Sequence, residues 1–150
     1  MAQLKEIDES QYKVDFDILN GYINFSSELL RLSLFAMGGF GALVLIKIKG
    51  EEKLSGFLHQ PIFFLFSMLF FALCAGAALF HRYFASDSMS WYIAWLRADA
   101  AGNKEAAISE RKGFHRMLKF SAWALISAEI LFGVGVLFFI IAMFRLFYGF

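Results

Sequence analysis

The chain has 150 residues, a single domain's worth, of which 59% are hydrophobic and 18% charged, with a mean hydropathy of +0.60. A soluble domain carries about 25% charged and about 45–50% apolar residues, so an ordinary soluble protein is excluded. Twenty Phe against one Pro exclude disordered and collagen-like chains, one Cys excludes a disulfide framework, and a net charge of +1 leaves no nucleic-acid footprint. What remains is a small all-α membrane protein whose first partner is the lipid bilayer.

Residues 1–28 form an acidic tail, expected to be partly helical, with Glu6, Asp8, Glu9, Asp15, Asp17 and Glu28 outnumbering Lys5 and Lys13. It has no basic start followed by an apolar run, so a cleaved signal peptide is not expected. Val14, Ile18, Tyr22 and Phe25 recur at helical spacing and are the expected docking face of this tail. Crossing roughly 30 Å of hydrocarbon takes about 20 helical residues, and three segments qualify. The first is 29–48, broken only by Arg31. Its Gly38, Gly39 and Gly41 leave a bare backbone strip of the kind that permits close helix contact, between subunits or within the chain.

A short loop, 49–60, leads to the second span, 61–80, which carries no charge and starts at Pro61, where a missing N–H costs nothing. Cys74 lies in mid-span among Ala and Gly and reads as packing. Residues 81–119 contain no proline, and only Ala101-Gly102-Asn103 has the chemistry that ends a helix. Ala85, Met89, Tyr92 and Leu96 recur as a helical stripe before it. The second span is therefore expected to continue to about Ala100, and a second long helix to return from Lys104 into the third span, 120–147. Residues 148–150 finish the chain. Ten of the 14 Lys and Arg residues fall on the side of the tail and the 81–119 hairpin. That bias predicts a cytoplasmic N-terminus and hairpin, with the C-terminus outside the plasma (inner) membrane.

A straight hairpin with this turn brings residues of equal height together. It sets Ser121, Ala128, Gly135 and Ala142, at heptad spacing, against Phe84, Ala77, Phe70 and Phe63, a second heptad. The tail is net acidic and the hairpin net basic, so the tail is expected to lie against a hairpin, its own or a neighbour's.

Glu129 is the first candidate for function, because an ionisable group within a span is expensive unless paired or wet. Arg31, similarly shallow at the same end of its span, could pair with it; an ion path or water-filled vestibule, and snorkelling with no specific partner, are the other readings. His81 and His115 are about 13 Å apart in height along the hairpin, too far to share a metal or haem. Neither Ser86, Asp87 and Ser88 nor any glycine-rich loop forms a catalytic constellation, so no cofactor, metal or catalysis is expected.

Several runs resemble a group of small bacterial three-span inner-membrane proteins. The likeness is carried by Leu29-Leu30-Arg31-Leu32 leading into Gly38-Gly39-Phe40-Gly41-Ala42-Leu43, by Ala75 to Tyr83, and by Phe132-Gly133-Val134-Gly135-Val136. The resemblance implies three spans in a bacterial membrane and no particular activity. Three packed helices cannot enclose water, so a pore would need several copies. The expected function is a non-enzymatic homo-oligomer that forms a pore or perturbs the bilayer, an effector controlled through its hairpin. The alternative is an accessory or scaffold subunit docked on a cytoplasmic or membrane protein partner.

Overall fold

A computed structural model describes the backbone of residues 9–49 and 61–148, with side chains for 12–39, 42 and 62–145. The expected loop 49–60, the first eight residues of the tail and residues 149–150 lie outside the described residues, as do the surroundings of Gly41. The described chain is all-helical: α1 (Glu9–Lys49), α2 (Pro61–Ala100) and α3 (Lys104–Tyr148), of 41, 40 and 45 residues. No proline interrupts any of them, and Pro61 occupies the first position of α2.

The turn between α2 and α3 is made by backbone chemistry. The Asn103 N–H donates to the Ala98 carbonyl at 3.0 Å and the Gly102 N–H to the Asp99 carbonyl at 2.9 Å. This pairing closes a helix through one left-handed residue, here Gly102 at φ 71°. Asn103 then starts α3: its Oδ1 accepts the Ala106 N–H at 3.2 Å and its carbonyl accepts the Ala107 N–H at 3.0 Å. Arg97 in the last turn of α2 and Glu105 in the first turn of α3 complement the helix dipoles.

Two helices, α2 and α3, contain stretches of mean hydropathy 2.5 that are long and apolar enough to cross a membrane. Only 28% and 17% of those stretches is buried within the chain. The expected first span, 29–48, is helical throughout, but most of its second half lies among residues whose side chains are not described.

The chain divides into two compact units. In the first, the described residues up to Ser27 pack with Leu79–Leu125. Its core is the stripe Ala85, Tyr92 and Leu96 with half-buried Met89, closed from α3 by Ala107 and Ser121. Tyr92 is the hub. Its ring meets Tyr12 and Phe16 of α1 at 6.2 and 5.8 Å, Trp95 at 5.7 Å and Phe114 of α3 at 5.1 Å. The tail thus lies on its own hairpin, but through the face opposite to the expected one. Tyr12, Phe16, Leu19, Ile23 and Ser26 turn inward, while Val14, Ile18, Tyr22 and Phe25 are exposed. Both rows have helical spacing and apolar side chains. Only the inner one combines rings that reach Tyr92 with a small residue, Ser26, for close approach.

In the second unit, the described residues of Glu28–Ala78 pack with those from Ile126 onward. Leu29, Phe71, Cys74, Ala75, Ala78, Ala128 and Ala142 supply the buried surface. Close helix contact here is fastened by polar bonds. Ser67 Oγ donates to the Gly135 carbonyl at 2.9 Å, and Ser33 Oγ to Cys74 Sγ at 3.1 Å. Such bonds between membrane-type helices contribute about 0.6 kcal/mol each.

Candidate functional site

The small heptad of α3 faces inward along its whole length: Ser121, Ala128, Gly135 and Ala142 are all buried. Its partners differ from the expected heptad by about a residue. In the second unit Phe71, not Phe70, lies over Gly135, where an added Cβ would stand 3.2 Å from the ring. Phe71 also meets Phe132 edge-on at 5.6 Å. Phe70 instead stacks on Phe138 at 5.4 Å, beside Phe63 and Phe66. Phe63 further receives the Arg145 guanidinium at 4.8 Å, a cation–π contact. Ala77 is only half-buried. In the first unit Phe84 packs on Phe120 at 5.6 Å. The difference is one of helix face: of the two adjacent rings Phe71 is the buried one and takes the space left by Gly135, while half-buried Phe70 turns to Phe138.

Arg31 bonds Glu28 at 2.7 Å, one helical turn back on the same exposed face, rather than Glu129. Both side chains lie on the outer face of α1, so the pairing neutralises the two charges locally without a partner from another helix. Glu129 is exposed on α3 between Ile126 and Ile130, which are exposed too. Gly38 and Gly39 are likewise exposed, with nothing within 4 Å of an added Cβ, so their bare strip is not used for packing among the described residues. No group of three or more His, Cys, Asp or Glu side chains that could hold a metal occurs among the described residues.

One row was not anticipated. Ser67, Cys74, His81 and Ser88 follow one another every seven residues on α2, and none is more than 2% exposed. The signal was present in the sequence as a strict spacing of small polar residues, but hydropathy favours the apolar neighbours and hides it. His81 is the anomaly within the row, because its buried Nδ1 has no hydrogen-bond partner among the described residues. Burial lowers its pKa from the ordinary histidine value. The neutral imidazole is therefore the folded form, and an unfolded chain binds the proton more readily. Stability is then fully present above about pH 6.5 and declines as the pH falls below it. Melting followed by tryptophan fluorescence should drop between pH 7 and pH 5, and His81→Leu should flatten that slope. An unchanged slope in the variant assigns the loss to another group.

Tyr92 titrates the other way. Burial first, then the Asp15 carboxylate that accepts its hydrogen bond at 2.7 Å, and the neighbouring Tyr12 push the phenol up to about 12. Trp91, one residue earlier, donates its indole N–H to Asp87 Oδ2 at 3.2 Å, which holds the ring over Gly113 of α3. Arg111 covers the Trp95 ring at 5.4 Å. Ser88 Oγ donates to the Ala85 carbonyl at 2.7 Å, Ser86 is exposed, and Asp87 accepts the Trp91 indole N–H. The arrangement offers packing, a docked tail and outward apolar and charged rows. No family profile matches this sequence, and no curated protein or solved structure is detectably similar to it.

Proposed function

We propose that the chain is a three-span integral membrane protein that associates with copies of itself and acts through that assembly, without catalysis. In this reading the tail and the α2–α3 hairpin are cytoplasmic and the C-terminus is outside. The assembly forms a pore or perturbs the bilayer under the hairpin's control. One observation carries it: two 40-residue-class helices leave most of their most apolar stretch uncovered by the chain, and an exposed Glu129 sits on that uncovered surface. The core helix of a soluble domain would be mostly covered. Lipid can cover Ile126 and Ile130, but a carboxylate facing lipid costs several kcal/mol. A neighbouring subunit or a water-lined path removes that cost.

Among the described residues of the second unit the helices close on one another at Cys74, Ala78 and Ala128, which are fully buried, and leave no such path there. Conduction therefore requires several copies. The expected result is a discrete homo-oligomer when the protein is purified in mild detergent, together with membrane depolarisation on expression. Glu129→Gln should reduce that depolarisation by about threefold or more, as charged rings along a pore set its ion selectivity. Depolarisation equal to that of the parent would remove Glu129 from the ion path. A monomer that co-purifies with other membrane subunits would instead return the accessory-subunit reading.

A further inference from the structure

The outward row of α1, which the fold leaves uncovered, has a counterpart. Val14, Ile18, Tyr22 and Phe25 are spaced four, four and three residues apart. Lys112, Arg116, Phe120 and Trp123 of α3 are all exposed and have the same spacing. The bond between Asp15 and Tyr92 fixes the height of α1 against α2. The contacts of Phe84 with Phe120 and of Trp91 with Gly113 fix that of α2 against α3. To within a residue, Val14 is then level with Lys112, Ile18 with Arg116, Tyr22 with Phe120, and Phe25 with Trp123. Asp17 stands beside Ile18, at the height of exposed His115 and Arg116.

We propose that the outward row of α1 docks on the outward row of α3 of a second copy of this chain. The proposal rests on the self-association reading above and names its surface. Copies inserted side by side in one orientation are related by an axis along the membrane normal, and such a rotation preserves height. Residues at equal height are therefore those that meet. The lower layer sets Tyr22 and Phe25 on Phe120 and Trp123, and the upper layer sets acidic Asp17 beside Arg116 and Lys112. Lipid is not the cover of the upper layer. Glu9–Lys49 is one continuous helix, so Val14 lies about 22 Å beyond Leu29, where the first span is expected to begin. A symmetric pairing of α1 with α1 would place Asp17 against Asp17. An α1-to-α3 contact is instead head-to-tail: it leaves a free α3 row on one copy of a pair and a free α1 row on the other, so the series closes as a ring.

The test uses two full-length chains in a Cys74→Ala background, one carrying Ile18→Cys and the other, distinguishable by a larger tag, Arg116→Cys. Co-expressed and mildly oxidised, they should form a disulfide-linked pair joining the two tags, since a bond requires Cα atoms within about 7 Å. Linkage of Ile18→Cys only to itself overturns the proposal, and so does a discrete oligomer with no linkage; both leave self-association standing. A monomer overturns self-association as well. Asp17→Arg should weaken the oligomer about tenfold, with recovery on adding Arg116→Asp to the same chain. Equal losses with no recovery overturn the charge pairing. A spin label at Ile18→Cys that is relaxed by a lipid-soluble agent assigns the row to lipid and overturns the proposal.

Discussion

Tyr92→Ala should release the amino-terminal helix from the hairpin. The side chain is buried, meets four other rings and donates to Asp15, so truncation removes the tail's fastening and opens a cavity between three helices. Large-to-small changes of aromatic residues at such positions cost about 3–5 kcal/mol. That is comparable with the whole stability of a small packed unit. Hydrogen exchange over residues 9–27 should accelerate to near the rate of an unpacked helix, and a protease added from the tail's side should cut there. Tyr92→Phe divides the effect into its parts. It keeps the ring packing and loses one charge-assisted hydrogen bond, for about 1.5 kcal/mol, because exposed Asp15 can be satisfied by water. The same variant tests the phenol's titration. A folded pKa of about 12 against an unfolded value near 10 means that the bond's contribution is complete below pH 10 and is lost as the pH rises toward 12. Tyr92→Phe should lack that alkaline loss. Retention of the tail in Tyr92→Ala would mean that Tyr12 and Phe16 find other support.

Gly113→Leu should separate the two arms of the hairpin. An added Cβ at residue 113 would overlap the Trp91 ring, at 2.6 and 2.7 Å from two of its carbons, distances that real side chains do not reach. The ring is tied back by its bond to Asp87, so it cannot turn aside without losing that bond. Even Gly113→Ala is informative. Alanine gains about 1 kcal/mol of helix propensity, while overpacking a close contact costs about 1–3 kcal/mol. The overlap is severe, so the balance should be destabilising, and Leu should cost more still. Adding Trp91→Ala to Gly113→Ala should recover part of the loss, and a double-mutant cycle measures the coupling. If Gly113→Ala melts at or above the parent temperature, the Trp91 ring is free to move and the close approach is not what holds the arms.

The turn was legible because it rests on local chemistry: only glycine adopts φ 71° at no cost, and Asn103 both follows that residue and caps the next helix. Membrane-scale apolar stretches were legible for the same reason, since hydropathy is a property of residues and not of their neighbours. The small heptad of α3 was legible as a packing face because its period matches that of the helix. The large partner of Gly135 is Phe71 rather than the expected Phe70, because which of two adjacent rings turns inward depends on what the facing helix offers, here Gly135 to Phe71 and Phe138 to Phe70.

By itself, then, the sequence determined the two long helices of the hairpin, the position and backbone chemistry of the turn, the approximate register of the hairpin and the composition of its apolar stretches; that the tail and the first expected span run on as one helix, Glu9–Lys49, was visible only in the structure. Tertiary structure decided which of two apolar rows on α1 turns inward, that Arg31 pairs with Glu28, and that His81 is sealed in without a partner for Nδ1. The division has one cause. Helix formation and termination depend on a few consecutive residues, whereas the choice of a face depends on rings and small residues supplied by other helices. A sequence rich in phenylalanine offers more apolar faces than one chain can bury.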